Sequence, residues 1–133
     1  MVTTQLTPDL VREGEALVKK LQASGLSPSG AFWFYYPDKQ RWKLFLVDKK
    51  VATDGPREIY LSVQKALRAL RSEVVYLTLQ DVTTAPPDMP LAAILSRVIS
   101  SQPGIGGFRL SRSVIKGEMI DDAYIYRVKR PAA

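Results

Sequence analysis

AFWFYYPDKQRWKLFLV, residues 31–47, reads as two strands folded back on each other around Pro37-Asp38-Lys39-Gln40. Aromatic and bulky apolar side chains fill both arms, as a pleated, half-buried surface requires. Proline presets the backbone for a turn, and aspartate bonds its own chain there. Pairing across the turn sets Tyr36 near Arg41, Phe34 near Lys43 and Phe32 near Phe45. Alternation then puts Trp33, Tyr35, Trp42, Leu44 and Leu46 on one face. The opposite face carries Phe32, Phe34, Tyr36, Arg41, Lys43, Phe45 and Val47. The first face is core.

The rest of the chain supplies elements to cover this hairpin. Thr7-Pro8-Asp9 starts a helix, with Thr7 as cap and Pro8 at the first helical position. Leu10, Leu17, Val18 and Leu21 share its inner face, opposite Arg12, Glu13, Lys19 and Lys20. Asp48-Lys49-Lys50 ends the second strand, and Thr53-Asp54-Gly55-Pro56 leads into a helix over residues 56–71. Ile59, Val63, Ala66, Leu67 and Leu70 form its buried stripe, with Gln64, Lys65, Arg68 and Arg71 outside. Residues 74–80, VVYLTLQ, read as a strand closed by Asp81, and residues 83–87 as a loop. Asp88-Met89-Pro90 starts a third helix, facing inward with Leu91, Ile94, Leu95 and Val98 and broken by residues 103–107. Residues 108–115 and 123–128 read as a second hairpin joined by residues 116–122. In its last strand Tyr124, Tyr126 and Val128 share a face, opposite Ala123, Ile125 and Arg127.

The order α-β-β-α-β-α-β-β predicts one α+β domain over residues 1–133, a mixed sheet of about five strands with three helices. Residues 1–6 and 129–133 are expected to fray. The chain of 133 residues is long enough to bury a core unaided.

Composition narrows the chemistry. With 19 Lys and Arg against 13 Asp and Glu, the formal charge is +6, which favours anionic partners, nucleic acid first among them. Cysteine and histidine are absent, which removes disulfides, thiolate nucleophiles, imidazole bases and the usual zinc ligands. No signal peptide or membrane span is read in the sequence, so the expected setting is cytoplasmic, without a membrane partner. No cofactor and no metal is called for.

Two groups of residues stand out as candidate sites. The second hairpin face interleaves Phe34 and Tyr36 with Arg41 and Lys43, a pattern that can stack bases and meet phosphates, and Arg68 and Arg71 add a basic stripe. A helix laid over Phe32, Phe34 and Phe45, with Arg and Lys stems running past it, would instead make this face core. The other group follows from connections. If the helix over residues 56–71 crosses between parallel strands, Asp48 and Asp81 end those strands on one edge, where open α/β sheets bind ligands. Lys50, Gly55 and Arg57 lie beside them. An anion there would relieve the conflict between Arg57 and the positive end of the helix dipole; a structural ion pair of Arg57 with Asp54 or Asp81 would do so too.

Pro37-Asp38 with Asp48-Lys49-Lys50 resembles, as a string, the signature of metal-dependent nucleases of the PD-(D/E)xK class. The hairpin reading sets those aspartates at opposite ends, more than about 20 Å apart at some 3.3 Å per residue. The aromatic strand from Gly30 is similar to that of RNA-recognition domains, whose element order this chain does not share. Gly104-Ile105-Gly106-Gly107 leaves a helix and opens a strand, the reverse of a phosphate loop. Glu118, Asp121 and Asp122 suit a hairpin connection better than a magnesium site. Residues 33–47 and 54–60 together are similar to stretches of small bacterial proteins, which implies no function.

The leading expectation is a small non-catalytic protein that binds an anionic partner. The alternatives are an interaction or homo-oligomerising module that uses the aromatic hairpin, and a magnesium-dependent phosphohydrolase or nuclease built on strand-end carboxylates.

Overall fold

The hairpin forms in the register its turn dictates. The computed structural model describes residues 4–26, 28–101, 107–115 and 117–126. In it β1 (Gly30–Tyr36) and β2 (Arg41–Val47) run antiparallel, with Tyr36 opposite Arg41, Phe34 opposite Lys43 and Phe32 opposite Phe45. β5 (Glu118–Tyr126) pairs with the other side of β1, and β4 (Phe108–Ile115) with β5. β3 (Val82–Ala85) pairs parallel with β2, giving a mixed sheet of order β3-β2-β1-β5-β4. The result is a small α+β domain.

Helices cover both faces. On one side α1 (Pro8–Ala23) and α3 (Arg57–Ala69) bury Leu17, Leu21, Ile59 and Val63 against Trp33, Trp42, Leu44 and Leu46. On the other, α4 (Pro90–Ser101) lays Ala92 and Leu95 over Phe32, Phe45, Val47, Ala123 and Ile125. Phe32 and Phe45 stack with centroids 4.9 Å apart. Each large apolar side chain enclosed this way contributes about 1.5–3 kcal/mol. α1 starts as expected: Thr7 accepts the Leu10 N–H at 3.2 Å, and Pro8 occupies the first turn. No helix among the described residues is long and apolar enough to cross a membrane.

Several local readings are corrected. Residues 74–78 are not a strand; they run irregularly into a 3₁₀ turn, Leu79–Asp81. The strand is Val82–Ala85, which takes in residues 83–85 of the expected loop. A five-residue helix, α2 (Lys50–Asp54), precedes α3. β5 begins at Glu118, so Asp121 and Asp122 lie in a strand rather than in a connection. Glu13, placed on the outer side of α1, is only 2% exposed. Its Oε1 accepts the Tyr76 and Leu77 N–H groups at 2.9 and 2.8 Å. One α1 carboxylate therefore satisfies two backbone donors that a strand would have paired in a ladder. The expected frayed ends at 1–3 and 129–133, the break at 103–106, the side chain of Val98 and residues 127–128 lie outside what the structure describes.

Candidate functional site

The strand-end aspartates are both buried and do not meet. Asp48 follows β2, and its Oδ1 accepts the Lys50 N–H at 2.8 Å at the start of α2. Asp81 precedes β3 instead of ending a strand. Its Oδ2 accepts from the Thr78 N–H and hydroxyl at 3.0 and 3.2 Å, closing a capping box on the 3₁₀ turn. Because Val82 lies opposite Leu44 in a parallel pair, Asp81 and Asp48 sit about 16 Å apart along the sheet at ~3.3 Å per residue. Two carboxylates that share a cation must each come within about 2.1–2.6 Å of it. Gly55, at φ 81°, reverses the chain between α2 and α3. Lys50 and Arg57 are exposed, and Arg57 makes no ion pair among the described residues.

The aromatic face of the hairpin is largely roofed. Phe32 and Phe45 are buried under α4, while Phe34 and Tyr36 are half-buried beside them. Lys43 donates to the Gln80 carbonyl at 2.7 Å, and Arg41 approaches the same oxygen at 3.5 Å. Burial and the neighbouring Arg41 charge pull the Lys43 ammonium below its ordinary range, against the pull of Tyr60 and Asp81. Burial pushes the Tyr36 phenol up. Arg68 and Arg71 lie on the opposite side of the sheet, on α3 and just beyond it, so the six residues expected to form one nucleic-acid face do not come together.

What does come together is the outer face of α3. Ile59, Val63 and Ala66 point at the core, and the helical period turns Arg57, Leu61, Lys65 and Arg68 to the far side within about 80° of one another. Arg71 follows in the next turn, also exposed. None of these four cations has a carboxylate partner among the described residues. The exposed Val75 and Tyr76 follow soon after, 71% and 60% accessible. Arg68 and Arg71 were legible from the period, and the same period adds Arg57 to the side of α3 that carries Arg68.

A second feature escaped the sequence. At the other end of the sheet, residues 4–8 face Tyr35, Trp42, Arg109, Asp121 and Asp122 across a cleft of about 490 Å³. Arg109 clasps Asp122 with two hydrogen bonds of 2.7 Å and lays its guanidinium over the Trp42 ring, 5.3 Å from the centroid. Burial raises the Asp122 carboxyl, but the hydrogen bonds and charge of Arg109, aided by Ser111, outweigh it and hold the group below its ordinary range. The hydrogen bond it donates to Asp122 correspondingly makes the Arg109 guanidinium hold its proton more tightly.

Both aspartates reach this cleft because alternation fails in the β4–β5 hairpin. Ile120 and Ala123, three residues apart, both belong to the cluster that α4 covers, and Leu110 and Ile115, five apart, pack against that cluster. The break lies between Asp121 and Asp122, opposite Arg112, which has φ 47°. A non-glycine residue in that region is uncommon. The kink lets two consecutive carboxylates share one face, which a regular strand forbids.

Compared with protein-family models, curated proteins and solved structures, the chain matches none.

Proposed function

We propose that the chain is a small non-catalytic module that binds a polyanion, nucleic acid being the commonest such partner, through the outer face of α3. The observation that carries this reading is the stripe of Arg57, Lys65 and Arg68, exposed on one side of α3, with the exposed Arg71 two residues beyond the helix. The net charge of +6 adds a long-range field of the same sign. A helix of 13 residues spans about 20 Å, enough to follow several phosphates. The exposed Tyr76 ring, close in sequence to the stripe, adds a surface on which a base can stack. The alternative in which the aromatic hairpin docks on another chain has less to rest on, since α4 already covers Phe32 and Phe45.

Fluorescence anisotropy with labelled single-stranded DNA, duplex DNA and RNA tests the reading. Affinity should fall with salt, with a logarithmic slope of roughly −3 for four phosphates met on a single strand. The Arg68→Glu, Arg71→Glu double variant should weaken binding at least tenfold at low salt. Absence of binding at low salt, or indifference to that variant, rejects it.

A further inference from the structure

We propose that the cleft beside residues 4–8 binds an organic cation, a guanidinium or primary ammonium group, between the Asp121 carboxylate and the Tyr35 ring. This site is separate from α3 and opposite to it in charge preference.

The cleft already displays the chemistry it would use. Asp122 and Trp42 hold the Arg109 guanidinium between a carboxylate and an indole ring. Asp121 and Tyr35, a second carboxylate and a second aromatic ring, line the same cleft. Tyr35 leans on Trp42 with centroids 5.3 Å apart, so the two rings form a continuous aromatic surface. Asp121 makes no ion pair or side-chain hydrogen bond among the described residues. Of the three charged side chains lining the cleft, Arg109 and Asp122 cancel, which leaves Asp121 as one net negative charge. A cation gains a charge-assisted hydrogen bond from that carboxylate and a quadrupole attraction from the ring.

Size and field are compatible with this ligand. A volume of about 490 Å³ falls within the range of small-ligand sites and exceeds one guanidinium, so the cation arrives on an aliphatic stem. Overall the protein is positive, but charges more than about 8 Å away are screened at physiological salt. The local carboxylate therefore governs the site. An alkylamine, an alkylguanidine and the arginine side chain of another protein share this chemistry.

The test is a titration followed by ¹⁵N–¹H correlation spectra, with agmatine, n-butylamine and the blocked peptide Gly-Arg-Gly as probes and propionate as control. The cations should shift the Asp121 and Asp122 amides and the Trp42 indole N–H saturably, leaving the Trp33 indole in place. Asp121→Asn should weaken binding about tenfold or more, and Tyr35→Leu about threefold, as expected for a charged hydrogen bond and a cation–π contact. Two variants keep the test decisive if either disturbs the hairpin. Binding of the peptide as tightly as agmatine would identify a protein side chain as the source, and binding of the free cations alone a small ligand. No saturable shift at millimolar cation and physiological salt, shifts away from the cleft, equal response to propionate, or indifference to both variants would overturn the proposal. Arg68→Glu, Arg71→Glu should leave cation binding intact, so this site and the polyanion reading fail separately.

Discussion

The Trp33 indole N–H donates to the Tyr126 hydroxyl at 2.8 Å, and that hydroxyl donates to the Val11 carbonyl at 2.6 Å. One phenol thus joins the central strand, the strand beside it and α1 through groups that are otherwise dry. α1 comes this close because position 14 is glycine: a Cβ there would press on the Tyr126 hydroxyl and lie 3.0 Å from the Trp33 nitrogen.

Tyr126→Phe should therefore cost about 1–3 kcal/mol in urea unfolding, because it leaves the buried Trp33 N–H without an acceptor. Burial, against the pull of the Trp33 bond, raises the Tyr126 phenol well above its ordinary 10.0. A raised folded pKa contributes stability that is complete below pH 10 and lost as pH climbs toward the folded value. The wild type should lose stability more steeply than Tyr126→Phe in urea melts above pH 10, and parallel curves would refute the role given to the phenol.

Glu13 holds the segment after α3 in place. Glu13→Ala removes the acceptor for two N–H groups and should cost about 3 kcal/mol, whereas Glu13→Gln keeps an oxygen and should cost less. Hydrogen exchange at the Tyr76 and Leu77 amides reads this directly. Protection should collapse in the alanine variant and survive in large part in the glutamine one.

The Arg109–Asp122 pair gives the cleft an acid limit. The Asp122 carboxyl is depressed when folded, so its contribution is present above the ordinary value of 3.8 and disappears as pH falls through the lower folded one. Trp42 fluorescence reports the loss, since Arg109 covers its ring. The acid transition should vanish in Asp122→Asn. An unchanged transition would locate it elsewhere.

Legibility tracked the range of the interactions. The first hairpin could be read to the residue because its turn and alternation are local. Residues 74–80 looked equally like a strand, since VVYLTL has every β-forming preference. Their backbone is instead satisfied by a carboxylate more than 60 positions earlier, and no local pattern announces such a partner. Residues 83–85 looked like a loop because Thr, Thr and a following Pro-Pro pair mask a short parallel strand. The cleft was hidden because Asp121 and Asp122 read as part of a hairpin connection, and only the structure places them in β5, lining one cleft. The basic stripe, a property of one helix, was half visible from the start.

The kink at Arg112 also bears on how this protein behaves when crowded. β4 is the outermost strand on its side, and a long, flat outer strand offers its unpaired N–H and C=O groups as a template for other chains. Here a left-handed residue interrupts the strand partway, and that residue, the exposed Arg112, adds positive charge. At the far side, β3 offers only four residues before Pro86. Both margins of the sheet thus disfavour the addition of further strands, the step by which an exposed edge seeds a fibril.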